Sequence, residues 1–395
     1  MLLSSYGDAL KAFHPRDGIV PAPGNGGNPR APGRRRVRAA ALTVSDVSQG
    51  RRLVEREMLP GCPLCRDSGV LPWATIHDHQ KMTRETFTIV RCAACGLIFL
   101  NPRPCGSTLQ RLYGPEYGPY TEDASANFQI FNPGRTALDR WKNQVKRDVL
   151  SCMLGYPSPD RVSAGRWLAA RLFGRHVLRV HYRLPRWVPD GAVLEIGCGP
   201  GYFLNVLRQL GWRPTGLEWD AAFARRVSGE MGIPVLETPE SLSAVPDESF
   251  DAVVLWHVLE HVPDPVWMMR QARRVLRRGG ELRMEVPNAL ALSATLLKPY
   301  WTAIAEPRHF FHFSPSTLVM VLRAAGWTDF RIRTIPKGNW WASALRHRTE
   351  VVRGRVPERP WFERRPVRSA FHACSRIAAR FGLGESLLVS AARTA

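Results

Sequence analysis

Along the second half of the chain, apolar residues occur alternately in short continuous runs and at helical spacing. This alternation predicts strands followed by helices. Val193 to Ile196 is a short apolar run, and the helical spacing of Tyr202 to Leu210 follows it after a glycine-rich turn. Pro214 to Glu218 is the next predicted strand. Short apolar strands that alternate with helices are typical of a parallel sheet covered on both faces. The pattern therefore predicts an α/β fold of the doubly wound type.

The alternation continues towards the carboxyl terminus. Further strands are predicted at Ser249 to Trp256, Glu281 to Val286, Phe330 to Ile335 and Ser386 to Ala391, with a helix at Pro265 to Arg277. About forty residues of helical character separate the last two strands, and we interpret them as an insertion. No stretch approaches the roughly 18 uninterrupted apolar residues that a membrane-spanning helix needs.

The first half of the chain has a different character. Residues 1 to 50 are rich in Pro, Gly, Arg and Ala with little apolar periodicity, and such a composition is unable to bury a core. We expect a disordered tail there, and a later translation start near Met58 is the alternative. Two helices are expected in a connecting region, at Ala137 to Leu154 and at Ala164 to Tyr182.

Four of the eight cysteines form two Cys-x-x-Cys units. The units are Cys62 with Cys65 and Cys92 with Cys95, and a strand-like run, Thr86 to Val90, lies between them. Four thiolates satisfy tetrahedral Zn²⁺ with no open position for water, so we expect a structural metal site in a small β-rich module. A redox-active Cys-x-x-Cys is the alternative. Because paired units favour a metal over disulfides, a reducing cytoplasm is the expected compartment.

A glycine-rich loop, Glu195-Ile196-Gly197-Cys198-Gly199-Pro200-Gly201, follows a strand and opens a helix. Residues without a β-carbon let the backbone approach a ligand, and a helix amino terminus offers unpaired amides. A dinucleotide-binding GxGxxG loop is the main alternative, but these glycines are spaced GxGxG and Glu195 precedes them by two residues. A carboxylate so close to the loop suits a cationic ligand with an amino group better than a pyrophosphate. Glu218 ends the next strand, where a carboxylate can accept both hydroxyls of an adenosine ribose.

These residues resemble those of the class I S-adenosylmethionine-dependent methyltransferases. The similarity continues through Phe250 to Val254 and Leu259 to Pro265. Glu306 to Phe313, followed by Leu318 to Trp327, is similar to a branch of small-molecule methyltransferases that includes the ubiquinone-pathway O-methyltransferases. Cys62 to Tyr117 resembles the zinc-binding leader of many bacterial members, sugar C-methyltransferases included. The resemblance implies a seven-stranded, Rossmann-like sheet, with S-adenosylmethionine and a structural Zn²⁺ as cofactors.

The resemblance also implies roles for individual residues: the glycines wrap the cofactor, Glu195 lies near its methionyl part and Glu218 holds the ribose. The residues expected to bind the cofactor are Glu195, Gly197, Cys198, Gly199, Gly201, Glu218 and Trp256. In the ubiquinone-pathway enzymes a Glu-x-x-Glu-His pattern is linked to a divalent metal. Here His257 replaces the first carboxylate, so we do not expect an oxygen-rich Mg²⁺ site.

Histidines from two motifs are expected near the transferred methyl group. His257 and His261 follow the carboxyl end of the fourth strand, and His309 and His312 precede a helix that can cover it. His261 and His309 are the first choices for a general base, with His257 and Glu260 as further catalytic candidates. Packing or hydrogen bonding is the alternative role for any single histidine.

Charge limits the possible partners. The 395-residue chain has a formal net charge of +21, but its arginines occur in every region rather than along one stripe with aromatic residues. A nucleic-acid partner is therefore not expected. Arg346 to Arg365, with Trp340, Trp341 and Trp361, is compatible with contact to a membrane surface, and a solvated helical insertion is the alternative.

The function that these observations predict is methyl transfer from S-adenosylmethionine to a hydroxyl of a sugar, a polysaccharide precursor or a secondary metabolite. A sugar C-methyltransferase is one alternative, and a zinc-ribbon nucleic-acid adaptor with a non-catalytic cofactor domain is another. The predicted boundaries are a disordered basic tail (1–57), a zinc-binding module (58–118), a helical linker region (119–190), a methyltransferase domain (191–338), a helical insertion (339–383) and the last strand of the methyltransferase domain (384–395).

Overall fold

Strands and helices alternate through most of the chain. The computed structural model describes residues 54–77, 85–105, 108, 130–131, 136–158, 160–180, 183–304 and 307–394. Its strands are β1 (Arg56–Glu57), β2 (Val70–His77), β3 (Thr86–Cys92), β4 (Ile98–Leu100), β5 (Arg103–Pro104), β6 (Ala192–Ile196), β7 (Arg213–Leu217), β8 (Val235–Leu236), β9 (Phe250–Trp256), β10 (Leu276–Pro287), β11 (Phe311–His312), β12 (Asp329–Ile335) and β13 (Ser386–Ala392). Its α-helices are α1 (Ala137–Leu154), α2 (Ala164–Val180), α3 (Tyr202–Gln209), α4 (Ala221–Met231), α5 (Pro265–Val275), α6 (Leu292–Leu297), α7 (Pro315–Ala324), α8 (Asn339–Arg353) and α9 (Arg365–Arg380).

Seven strands form the central sheet, in the order β12-β13-β10-β9-β6-β7-β8. The neighbours β10, β9, β6, β7 and β8 run parallel to one another. The strand order reverses beside β6, and in open sheets of this kind ligands bind beyond the carboxyl ends of the strands at such a point. This confirms the predicted doubly wound, seven-stranded sheet.

The last strand departs from the expected parallel sheet. β13 runs antiparallel to both of its neighbours, β10 and β12. A parallel neighbour would require a crossover connection, whereas an antiparallel strand can return along the same edge. The helical insertion formed by α8 and α9 lies between β12 and β13 in the sequence, and the chain re-enters the sheet in the opposite direction after it. The seven-stranded sheet is therefore mixed, with β13 running against its neighbours.

A second sheet contains the cysteine-rich segment and a strand from much later in the chain. Its order is β11-β4-β3-β2, and all of its pairs are antiparallel. β11 contributes Phe311 and His312, which pair with Phe99 and Ile98 of β4. The segment that follows His309 thus completes the sheet of the cysteine-rich module. The sequence pattern gave no sign of this pairing.

The cysteine-rich module begins slightly upstream of the predicted boundary at residue 58. Val54 is buried, and β1 pairs antiparallel with β5. Residues 54–57 therefore belong to the module rather than to a tail. The remainder of the predicted tail, residues 1–53, lies outside the described residues, as does the Tyr113 to Tyr117 motif.

One hydrophobic core joins the module to the central sheet. Phe87 and Phe99 of the module belong to the same buried cluster as Leu255 of β9, Val286 of β10 and Trp301. Each of these side chains is almost completely removed from water. A shared core of this kind fixes the module relative to the sheet, because separating the two would expose both sets of apolar side chains.

Candidate functional site

The glycine-rich loop connects β6 to α3 at the reversal of strand order. Gly197, Gly199 and Gly201 all have positive φ, at 71°, 50° and 78°, a region that residues with a β-carbon rarely adopt. A β-carbon on Gly197 would lie 2.5 Å from Cγ2 of Val258, in the turn after β9. The loop thus needs its glycines, and it lies directly against the turn that carries the first group of histidines.

Glu195 lies just before this loop and is almost fully buried. Its Oε2 atom is buried without a hydrogen-bond partner. Burial raises the pKa of this carboxyl well above its usual value, and the nearby Glu218 adds to the effect, while Arg183 opposes it. A buried carboxylate oxygen without a partner is costly unless a ligand completes it, and an amino group would do so.

Glu218 follows β7 and holds the glycine loop in place. Its Oε2 accepts the backbone N–H of Gly199 at 2.7 Å, and its Oε1 accepts that of Asp220 at 3.0 Å. Burial raises the pKa of Glu218 despite these two hydrogen bonds. Each carboxylate oxygen can accept more than one hydrogen bond, so the residue can support the loop and still bind ligand hydroxyls.

The two remaining residues expected to bind the cofactor have different surroundings. Cys198 is buried beneath the loop, where its Sγ would lie 2.7 Å from a β-carbon added at Gly216. Trp256 ends β9 and has its Nε1 buried without a hydrogen-bond partner. Its ring contacts Phe203 edge to face, and the Arg183 guanidinium lies 5.3 Å from its centre. Trp256 therefore offers a donor at the loop, whereas Cys198 fills space.

The turn after β9 is fixed through one buried carboxylate that sequence reasoning missed. Glu285 of β10 is fully buried, and its backbone carbonyl accepts the N–H of His257 at 2.9 Å. Its carboxylate lies 2.9 Å from Nζ of Lys337, 3.4 Å from Nε2 of His257 and 3.5 Å from the guanidinium of Arg183. Despite burial, these three cationic groups hold the pKa of Glu285 well below its usual value. A glutamate amid the buried side chains of β10 was the available signal.

His257 occupies a left-handed conformation, with φ at 57°, and lies between two carboxylates. Its Nδ1 is 3.3 Å from Oε1 of Glu260, and its Nε2 faces Glu285. Burial opposes protonation, but the two carboxylates outweigh it and raise the pKa of His257 above its usual value. Both ring nitrogens are thus directed towards acids.

His261 and His309 lie side by side, with ring centres 4.4 Å apart. Nδ1 of His261 lies 3.2 Å from the carbonyl oxygen of Arg308, and Nδ1 of His309 lies 2.9 Å from that of Ala303. Since a carbonyl only accepts, Nδ1 carries the proton in both rings. Burial, with Arg308 nearby, lowers the pKa of His261 to about 4, and it also lowers that of His309. Both imidazoles are neutral at physiological pH.

Glu260 joins the two histidine motifs. Its backbone carbonyl accepts the N–H groups of Phe310 and Phe311, at 2.8 and 3.2 Å, which brings His309 next to His261. Its carboxylate is fully buried, and its Oε1 lies 3.3 Å from Nδ1 of His257. The structure therefore places all four predicted catalytic residues at one end of the central sheet, beside the glycine loop.

The same residues do not match an oxygen-rich divalent metal site. His257 faces Glu285 and is not among the potential metal ligands. Those ligands are Glu260, His261 and His309, and one ligand atom of each lies within 4.8 Å of the others. Two imidazoles and a single carboxylate are a poor set for Mg²⁺, which prefers oxygen ligands.

The four predicted cysteines meet at one end of the second sheet. The Sγ atoms of Cys62 and Cys95, and those of Cys65 and Cys92, are 3.5 Å apart, and all four lie within 4.8 Å of one another. Four sulfurs about 2.3 Å from a central Zn²⁺ would be separated by about 3.8 Å. Buried Cys62 has its pKa raised to about 11, so closing such a site requires loss of its proton.

The two cysteine turns have the same backbone geometry. The N–H of Arg66 donates to the carbonyl of Cys62, and that of Gly96 donates to the carbonyl of Cys92. Arg66 and Gly96 both have positive φ, at 67° and 75°. Two matching turns that present paired thiols to a common centre are the arrangement of a closed, four-thiolate structural site.

Comparison with known proteins gives the site its context. Residues 168–331 match the family described as "Methyltransferase domain". The ubiquinone biosynthesis O-methyltransferase of Xanthomonas axonopodis pv. citri is 32% identical over 181 residues, which cover 41% of this chain and 76% of that protein. A probable S-adenosylmethionine-dependent methyltransferase of Mycolicibacterium smegmatis is 30% identical over 155 residues, covering 39% of this chain and 58% of that protein.

Among solved structures, a SAM dependent methyltransferase from Archaeoglobus fulgidus aligns with 57% of this chain and 98% of its own, at 20% identity and a TM-score of 0.37. The family match and the curated relatives carry the assignment, together with a glycine loop at the reversal of a seven-stranded sheet. The chain belongs to the class I S-adenosylmethionine-dependent methyltransferases and transfers methyl groups to small molecules.

Proposed function

We propose that this enzyme methylates a hydroxyl group of a small-molecule acceptor, such as a sugar, a polysaccharide precursor or a phenolic secondary metabolite. The observation that carries the proposal is the pair of neutral histidines, His261 and His309, beside the cofactor loop. An acceptor hydroxyl must lose a proton as it gains the methyl group. A neutral imidazole with Nδ1–H fixed by a carbonyl presents a basic Nε2 for that step. A relative that is an O-methyltransferase agrees with this chemistry.

The cofactor residues would act mainly by position. Glu195, with its unpaired buried oxygen, suits the amino group of S-adenosylmethionine, and Glu218 suits the ribose hydroxyls. The bound sulfonium supplies an already activated methyl group, so the protein contributes alignment and exclusion of water. Gly197 of the glycine loop packs directly against Val258 of the turn that carries the histidines. This close packing would place an acceptor beside the histidines within reach of the bound cofactor.

His309 is our first choice for the base. Its Nδ1–H is held by the carbonyl of Ala303 at 2.9 Å, and its ring contacts His261 edge to face. Burial keeps its pKa low, so the basic form is present throughout the physiological range. Glu260, close to both rings, would stabilise the positive charge that develops when a ring takes up the acceptor proton.

His257 would have a supporting role in this scheme. Both of its nitrogens face carboxylates, at 3.3 and 3.4 Å, so neither is directed at an acceptor. As an imidazolium it would neutralise Glu260 and Glu285 and hold the turn after β9 in shape. Lys337 and Arg183 complete the charge balance at Glu285.

The four-cysteine group would bind one structural Zn²⁺. Cys62, Cys65, Cys92 and Cys95 are the ligands, and four thiolates leave no position for a substrate. The ion would join the turn before β2 to the turn between β3 and β4, and β4 pairs with the segment that follows His309. Zinc would therefore support the site from outside without taking part in the reaction.

Replacing Glu218 with glutamine should weaken cofactor binding. Hydrogen bonds to a charged group contribute about 1.5–3 kcal/mol against about 1 kcal/mol for neutral ones, so we expect roughly a tenfold rise in the S-adenosylmethionine dissociation constant. Calorimetric titration of the wild type, of E218Q and of a control, Glu230→Ala on the exposed face of α4, measures it. An unchanged dissociation constant in E218Q would contradict the assigned role.

Replacing His309 with asparagine should abolish most of the activity but leave cofactor binding intact. Asparagine can still donate to the carbonyl of Ala303, but it has no atom equivalent to Nε2. Loss of a general base typically lowers kcat by about 10²–10⁴. A panel of phenols and sugars with methyl-labelled S-adenosylmethionine identifies an acceptor, and the variant is then assayed on it.

His347→Asn is the matched control for this prediction, because Nδ1 of His347 also lies against a carbonyl oxygen, that of Tyr300, away from the site. It should retain activity. Full activity in His309→Asn would exclude His309 as the base. A product methylated on carbon instead of oxygen would favour the C-methyltransferase alternative.

Removing one cysteine should release the metal. The wild type is expected to contain one zinc per chain, and Cys92→Ser should lose it together with several degrees of thermal stability, because the ion binds the folded state. Cys374→Ser, at an exposed position on α9, should keep both. Metal analysis and thermal denaturation measure the two effects. A metal-free wild type with a reversible disulfide would instead support the redox alternative.

The His257 pairing should make stability depend on pH. The raised pKa means that its contribution is complete below the unfolded value, about 6.5, and is lost as pH rises through the folded value. The lowered pKa of Glu285 keeps its own contribution present above about pH 4.5. His257→Asn keeps a residue that tolerates positive φ but removes the charge. Chemical denaturation should show a larger difference between wild type and variant at pH 6 than at pH 9, and equal differences would be inconsistent with the pairing.

A further inference from the structure

The helical insertion between β12 and β13 is attached to the sheet through one buried carboxylate. Glu385 is fully buried and accepts hydrogen bonds from the N–H of Lys337 at 2.8 Å, from Nε1 of Trp341 at 2.8 Å and from the hydroxyl of Ser375. Trp341 also stacks on Phe371, so α8 and α9 are held together on their inner side. The insertion is thus a fixed element with one inner and one outer face.

Two tryptophans that the sequence made candidates for membrane contact are directed inwards. Trp341 donates to Glu385, and Trp340 contacts His257 and Trp301, each with ring centres 6.0 Å apart. Both are only partly exposed, and these contacts are on the inner side of the insertion. The structure places the third, Trp361, outside, at 57% exposure.

Both helices of the insertion expose apolar side chains. Val351 and Val352 at the end of α8 are more than half exposed, and Ile377 and Phe381 at the end of α9 are 56% and 73% exposed. On α9 these last two follow Ala370 and Cys374, also exposed, at intervals of three and four residues. Such intervals place all four side chains along one stripe of a helix. An apolar stripe turned away from the core suggests a surface that is covered by something else.

Basic residues accompany this stripe. Residues 339–383 contain ten arginines against three glutamates, a formal net charge of +7, and no lysine or aspartate. On α9 the exposed arginines are Arg365, Arg368, Arg376 and Arg380. A helix that presents arginines beside exposed Ile and Phe side chains matches a bilayer surface, where anionic headgroups meet the acyl boundary. A nucleic acid would match the charge but leave the apolar stripe uncovered.

We infer that the outer face of α8 and α9 docks on a membrane surface that contains anionic phospholipids. The contact is peripheral, since no helix among the described residues has the length and apolar character needed to cross a bilayer. Arginines bind the headgroups, while Trp361, Ile377 and Phe381 enter the interface. This inference does not depend on the identity of the acceptor or of the catalytic base.

Vesicle sedimentation with the full-length protein tests it. The protein should sediment with vesicles of phosphatidylglycerol and phosphatidylcholine, but weakly with phosphatidylcholine alone, and high salt should release it because it screens the arginines. Arg376→Gln and Arg380→Gln should each weaken binding roughly fivefold. The double variant Ile377→Ser/Phe381→Ser should weaken it at least tenfold, since two apolar side chains no longer leave water.

The matched control is Leu138→Ser/Trp141→Ser on α1, whose apolar side chains have similar exposures of 56% and 63%. It should bind vesicles like the wild type. The inference is overturned if the protein ignores anionic vesicles, or if the α1 variant loses binding while the α9 variant keeps it. It is also overturned if Ile377→Ser/Phe381→Ser dissociates a dimer in light scattering without any vesicle binding, because the stripe then covers a second copy. Salt-sensitive binding to RNA or DNA in place of vesicles would equally exclude a membrane.

Discussion

The carboxylate of Glu285 is buried at the carboxyl end of β10, and groups from three separate parts of the chain converge on it. Arg183 precedes the central sheet, His257 follows β9 and Lys337 follows β12. A buried carboxylate is expensive unless its charge is balanced, so these contacts are mutually required. They fix the turn after β9, the start of the insertion and the segment before β6 in one arrangement. The shape of the active-site end of the sheet depends on that charge balance.

A second link holds the site from the other side. The backbone carbonyl of Glu260 accepts the N–H groups of Phe310 and Phe311, and β11 then pairs with β4 of the cysteine-rich module. His309 lies between these two attachments. The shared core that includes Phe99 and Trp301 makes the module part of the same rigid support. A change in the packing of the module would thus reach the segment that carries His309.

The sequence predicted local features well and long-range pairings poorly. The glycine loop, the strands around it and both helices of the insertion follow from periodicity and from residues such as Gly201 and Asp264 at helix starts. The antiparallel direction of β13 and the two-residue strand β11 were not predictable, because each depends on partners far away in the chain. Grouping the histidines was possible from motifs alone. Glu285 could have been noticed as a glutamate within a predicted strand, but its partners Arg183, His257 and Lys337 could not, because they lie far from it in the sequence.

The three histidines show why identity alone does not decide chemical role. All are removed from most solvent, and burial by itself lowers the pKa of each. His257 meets two carboxylates, which reverse the effect of burial and favour a proton on both nitrogens. His261 lies between Glu260 and the guanidinium of Arg308, so its partners oppose one another and desolvation decides. Within five residues of sequence the surroundings therefore raise the pKa of one histidine and lower that of another, and environments that separate pKa values in this way are how one site can assign different proton-transfer roles to like side chains.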